Sequence, residues 1–146
     1  MSIDRGYVRV NDTERARLKA LVARASDTDL AKPLSAGWTV AAVLGHLAFW
    51  DQRILALLDA WERGVAPPPP HEADVDWIND AGKPFLLALA PRKAADVAVA
   101  IAEAVDRKVA ALSDDMIARN TAAGSPLNLN RGVHRKEHLD EIERVF

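Results

Sequence analysis

Between Val43 and Trp61 the apolar residues Val43, Leu47, Trp50, Ile54, Leu57 and Trp61 recur at alternating steps of four and three. That spacing keeps one side of a helix apolar for about five turns. Such a seam is buried only when the helix packs lengthwise against other helices. Thr39 offers an N-cap before it. Gly64 suits the stop after it, and Pro67 to Pro70 forbid continuation. The proline run makes a stiff connector, long enough to cross the end of a bundle.

The rest of the chain reads the same way, with no alternation over strand length that lacks a better helical reading. Asn11 and Glu14 stand at capping-box spacing and predict a first helix from about Asn11 or Asp12, with Leu18, Leu21, Val22 and Ala25 as its stripe. Ser26 to Trp38 holds Pro33 and Gly37 and is expected to be mostly connection. A third helical region starts near Asp74, is expected to be interrupted at Pro84 and Pro91, and resumes with Pro91 as a first helical residue. Its stripe is Val97, Ile101, Val105, Val109 and Leu112. Ser113 to Leu129, with Gly124 and Pro126, reads as a loop. The last helix runs from about Asn130 with Leu139, Ile142, Val145 and Phe146 inward. Four amphipathic helices in 146 residues predict one all-α domain over 1–146, a four-helix bundle.

Composition narrows the function classes. Apolar residues at 49% and charged residues at 27% are those of a folded chain. A net charge of −2 with no dense Lys/Arg block argues against a nucleic-acid partner. With no cysteine, disulfides, thiolate-held zinc and a cysteine nucleophile are excluded. The opening Met-Ser-Ile-Asp-Arg has no apolar leader, and the uncharged run Pro33 to Trp50 is broken by Pro and Gly and is amphipathic in its later half. A cytoplasmic protein without a membrane span is therefore expected.

The four histidines carry the chemistry. His134 and His138 are one turn apart on the last helix, so both imidazoles reach one point in space. On a helical wheel, His46 lies at the edge of the apolar stripe formed by Val43, Trp50, Ile54 and Leu57. All three histidines border seams that face the bundle interior, where bundles build metal sites from facing helices. The plain alternative is a set of hydrogen-bonded core histidines. His71, after the prolines, is expected to be a solvated loop residue. The run His134-Arg-Lys-Glu137-His138 also matches HxxEH of the inverted zinc peptidases. Those enzymes take a third ligand well downstream, and only eight residues follow His138. Glu137 is instead expected on the polar flank, paired with an Arg or Lys.

The segment Gly37-Trp-Thr-Val-Ala-Ala-Val-Leu-Gly-His46-Leu-Ala-Phe-Trp50-Asp51, together with His134 and His138 followed by Leu139, resembles the DinB/YfiT-like superfamily. The resemblance runs from the first helix to Ile142. It implies a four-helix bundle with a long crossover after the second helix, where the proline connector lies. It further implies that His46, His134 and His138 hold a divalent metal ion, zinc or nickel foremost among the imidazole-suited metals. Relatives of this type include S-transferases and isomerases that use mycothiol or bacillithiol, such as the maleylpyruvate isomerase group. Three neutral imidazoles leave a metal with open positions, as in a catalytic site. A thiol on such an ion is deprotonated, and here it would come from a low-molecular-weight cosubstrate. Trp50 either walls the substrate site or packs in the core. Asp51 either orients a ligand or faces water, and Asn79 is a candidate for the cleft mouth.

Three functions compete: a metal-dependent thiol S-transferase or isomerase, a metal-dependent hydrolase with Asp51 or Glu137 as base, and a non-catalytic, stress-associated bundle that binds a metal or small ligand or serves as an interaction protein. Each takes a small-molecule partner, with no nucleic acid and no membrane, and a homodimer is plausible for each.

Overall fold

A computed structural model describes residues 3–68 and 72–146. Pro69, Pro70 and His71, and with them the expectation for His71, lie outside the described residues. Among these residues the chain forms α1 (Tyr7–Arg24), α2 (Asp27–Leu30), a 3₁₀ turn (Ser35–Gly37), α3 (Val40–Glu62), α4 (Glu72–Ala88), α5 (Pro91–Ala110), α6 (Asp114–Ala122) and α7 (Gly132–Glu143). No strand is present among them; Pro33 and Thr39 make an isolated antiparallel bridge. The long helices α1, α3, α5 and α7 form the bundle, and α4 lies on the crossover between α3 and α5.

The helix at the centre forms as its sequence dictates. The Thr39 side chain accepts a hydrogen bond from the Ala42 N–H, capping α3. Gly64 stands at φ +98°, the left-handed stop after Arg63. Residues 40–48 are buried on every side, because α4 and α5 cover the face that a two-sided bundle helix would leave open. Gly45 permits this: a Cβ there would stand 3.0 Å from Leu86 Cδ2 of α4. Farther along, Leu58 takes the core position and Leu57 is half-buried, since a 3.6-residue helix drifts out of a strict seven-residue repeat. By length and composition α3 could cross a membrane, yet over half of its apolar window is buried inside the bundle.

Two apolar clusters make up the core. One joins Leu18, Leu21, Leu30, Leu44, Leu47 and Ile142; the other joins Ile54, Leu58, Val105, Val109, Ile117 and Leu127.

Several sequence expectations need correction. The first helix starts at Tyr7, not at Asn11; Asn11 is buried mid-helix and its amide reaches another segment. Ser26 caps α2 in a capping box with Asp29, inside what was expected to be plain connection. Pro84 does not interrupt α4. The carbonyl it leaves without its helical donor, that of Asp80, belongs to an exposed residue. On α5 the buried stripe is Ala94, Ala95, Ala98, Ala102, Val105 and Val109, while Val97 is 42% exposed. Alanines face the core there because α3 and α5 approach closely and larger side chains would hold them apart. Residues 114–122 are a helix and not a loop, with Ser113 accepting from the Met116 N–H and Asp114 and Asp115 in the first turn. Val145 is half-buried and Phe146 is exposed, with the Lys32 ammonium over its ring.

Candidate metal centre

The site depends on where α7 begins. Gly132 N–H donates to Asn11 Oδ1 at 2.8 Å, and Asn11 Nδ2 donates to the Leu129 carbonyl at 3.0 Å. Val133 N–H donates to Asn130 Oδ1 at 3.2 Å, so two of the free N–H groups at the helix start have partners. Gly132 presses on α1: a Cβ there would fall 2.6 Å from the Val10 carbonyl oxygen. No other residue fits that approach.

A buried ion-pair network then fixes α7 against α3 and α5. Arg135, 1% exposed, donates to both carboxylate oxygens of Asp106 at 2.7 Å and to Asp51 Oδ2 at 3.1 Å. Arg131 Nε donates to Asp51 Oδ1 at 2.8 Å, and Arg15 Nη1 donates to Asp106 Oδ2 at 2.7 Å. Burial pushes the Arg135 pKa down, but its hydrogen bonds to Asp106 and the charges of Asp51 and Asp106 outweigh it, and the net shift is upward. Asp51 therefore neither orients a ligand in the cleft nor faces water; it is 2% exposed and occupied by two arginines.

On this frame α3 contributes His46, and α7 contributes His134 and His138. The three ring centroids are 5.1, 5.0 and 4.9 Å apart, close to an equilateral triangle. One ring nitrogen from each lies within 4.8 Å of the others. His46 Nε2 and His134 Nε2 are 3.2 Å apart. Two nitrogens on one ion at about 2.0–2.1 Å stand roughly 3.0–3.4 Å apart, so this pair already has the span that an ion requires. His138 Nδ1 is buried without a hydrogen-bond partner, and Glu141 Oε2 is 3.7 Å from it. Burial lowers the His46 pKa to about 4, assisted by the charge of His138. Burial likewise lowers His134 to about 3, with smaller contributions from His138, His46, Arg131 and Arg135. Both rings are neutral at pH 7 and their lone pairs are free to ligate. The residues present thus fit a divalent ion held by nitrogen alone: three imidazoles converge on one point, and His138 carries a buried ring nitrogen without a hydrogen-bond partner.

The triad opens on a cleft of about 600 Å³ between α4, the 3₁₀ turn and α7. The aromatic wall is Trp38, whose ring centroid is 5.7 Å from that of His46, and not Trp50. Trp50 instead donates its indole N–H to Asn79 Oδ1 at 2.8 Å, tying α4 to α3. Asn79 also lines the cleft. Glu137 lines it too and makes no ion pair with Arg or Lys among the described residues, contrary to expectation. Sequence reading overlooked Asp76, Asp80 and Glu141 on the same walls. The available signal was spacing: Glu137 and Glu141 repeat the four-residue step of His134 and His138 one row over. Ala36 in the 3₁₀ turn holds φ 54°, ψ 31°, a left-handed conformation costly for alanine, and it lines the cleft as well.

Comparison with known proteins gives one family, the DinB superfamily, matched over residues 11–135; the match includes His46 and His134 and stops before His138. No curated protein and no solved structure matches the chain. The helical bundle, the two histidine-bearing helices and a family match across most of the sequence agree, and this chain belongs to the DinB superfamily.

Proposed function

We propose that this chain is a metal-dependent enzyme of small-molecule chemistry, in which His46, His134 and His138 hold one divalent ion, zinc or nickel, and a low-molecular-weight thiol is transferred to an electrophile. The observation that carries this reading is the triangle of imidazoles that opens on the cleft. An ion held there would supply Lewis acidity and keep a thiol in its thiolate form at neutral pH. The chain has no cysteine, so the sulfur enters with a cosubstrate of the mycothiol or bacillithiol class. Trp38 and Val43 form the apolar side of the cleft and keep water from one flank of the bound pair. The buried Arg135–Asp106–Asp51 network holds α7 so that His134 and His138 do not swing away from His46.

A second reading, metal-assisted hydrolysis, is supported by Glu137 and Glu141, which line the cleft where a general base would be needed. The two are separated by one experiment. Zinc- or nickel-loaded protein is mixed with mycothiol or bacillithiol and an aryl halide or maleyl electrophile, and with amide and ester substrates without thiol. Thiol conjugation above background, lost in His46→Ala, is the expected result. Ester or amide turnover without thiol favours hydrolysis, and no turnover of either kind by the loaded, folded protein overturns the enzymatic reading.

A further inference from the structure

We propose that the outer face of α4 and the groove beside it form the interface of a homodimer, with a ridge from each copy seated in the groove of the other. α4 is apolar on two sides, and the chain covers one of them. Ile78, Asn79, Gly82, Lys83 and Leu86 are half-buried toward α3 and the 3₁₀ turn, yet no residue from 73 to 88 is buried outright. On the other side Trp77, Ala81 and Phe85 stand at steps of four and make one ridge of the helix, which Leu89 continues just past the helix end. Phe85 is 77% and Trp77 60% exposed. A helix that is apolar on two sides is normally covered on both.

The groove lies at the end of that ridge. It has a volume of about 330 Å³ between Ala48 and Phe49 of α3, Leu86 and Leu89, and Ala94 and Val97 of α5. Gly45 and Ala48 leave it hollow, because neither has a side chain beyond Cβ. An apolar cavity of about 150 Å³ already takes a benzene ring, so the ring of Phe85 from a second copy fits. A knob and a hole on one continuous face are what a two-fold interface needs, since each copy must supply both.

The exposed area matches as well. Phe49, Leu89 and Val97 are exposed beside Trp77 and Phe85. At about 150–250 Å² for a whole aromatic side chain, and less for Leu and Val, the exposed parts of these five come to roughly 500 Å². A stable interface takes about 800 Å² from each partner, of which about 65% is apolar in homodimers, and the two areas agree. Gln52 and Lys93, both exposed, border the groove and supply a polar rim. A lipid surface suits this face poorly: α4 carries four carboxylates and one lysine, the reverse of a helix that lies on an anionic membrane.

The test is sedimentation equilibrium of wild-type protein, Phe85→Asp and Val97→Lys at about 100 μM, with helical circular dichroism recorded for each. Wild type is expected at the mass of two chains. Each charged variant disrupts both contacts of a symmetric pair and is expected at the mass of one. Mixed one to one, the two variants are expected to recover a dimer, because one contact is then wild type and the other joins the new carboxylate to the new ammonium. Phe85→Ala only shortens an exposed side chain, so it serves where a charged variant does not fold; it is expected to weaken dimerisation about ten-fold or more. A monomeric wild type at this concentration overturns the inference, as does a dimer that all three variants leave intact. Charged variants that are monomeric alone and stay monomeric when mixed overturn the seating of ridge in groove.

Discussion

Replacing Arg135 with methionine removes the central cation of the network under the histidines while keeping an unbranched side chain of comparable length. The guanidinium makes four hydrogen bonds: two to Asp106 at 2.7 Å, one to Asp51 at 3.1 Å and one to the Asn11 carbonyl at 3.4 Å. Leaving buried charge without its partner costs about 3–5 kcal/mol. Here Asp51 keeps Arg131 at 2.8 Å and Asp106 keeps Arg15 at 2.7 Å, so neither carboxylate is abandoned. The cost therefore falls at the low end, about 3 kcal/mol, or roughly 10 °C in Tm for a domain of this size. Urea denaturation of the metal-free protein, followed by circular dichroism, reads it directly. Adding Asp106→Asn to Arg135→Met removes the buried carboxylate that has lost two of its three arginine hydrogen bonds and returns about 1–2 kcal/mol, a positive coupling between the two positions. A single-variant cost below about 1 kcal/mol, the level of an exposed ion pair, refutes the reasoning, as does a double variant whose cost is the plain sum.

Gly132→Ala places a methyl group against the Val10 backbone and is expected to cost about 1–3 kcal/mol. It also weakens zinc binding, because the first turn of α7 must shift; a variant with unchanged Tm and zinc affinity contradicts the close packing of Gly132 on Val10, where an added Cβ would fall 2.6 Å from the Val10 carbonyl oxygen. Asn11→Ala leaves the Gly132 N–H without a partner and takes from the Leu129 carbonyl one of its two donors, the Arg131 N–H remaining, and is expected to cost about 2 kcal/mol in urea denaturation; a loss of only a few tenths would fit a surface cap better than a buried clamp. Metal-free protein should lose stability as pH falls from about 6.5 toward 4 and be flat above neutrality. The unfolded chain takes up protons at His46 and His134 near pH 6.5, whereas the folded chain takes them up only near about 4 and about 3. The combined loss by pH 4 is of the order of 6 kcal/mol, about 3 from each ring, and an unchanged pH slope in His46→Asn/His134→Asn would refute the assignment.

What sequence reading captured is local. Thr39, the apolar run after it and Gly64 define α3 by chemistry within a few residues of each end, and the structure places its cap and its stop there. His134 and His138 meet because one helical turn separates them. That His46 joins them follows from the bundle and was reached through the family resemblance, since nothing near His46 in sequence names its partners. What escaped is non-local. Asn11 looks like a cap by spacing, yet the arrival of α7 from the far end of the chain converts it into a clamp. Asp51 and Arg135 carry no local sign of their pairing. Trp38 rather than Trp50 walls the cleft, because the 3₁₀ turn and α4, not α3's own pattern, decide which ring faces it. On α5, a hydrophobic pattern favours Val97 over its alanines, but close helix contact selects the smallest side chains. Ser113, Asp114 and Asp115 make a helix start that the expectation of a loop over Ser113 to Leu129 took no account of.

The central claim is that the three imidazoles form one metal centre. Elemental analysis after exhaustive dialysis against zinc or nickel, with wild-type protein beside His46→Ala/His134→Ala/His138→Ala, tests it most directly. The account predicts about one ion per wild-type chain and none in the triple variant, with helical circular dichroism retained in both. A folded wild-type chain that keeps no ion, or a triple variant that keeps as much as the wild type, would contradict it.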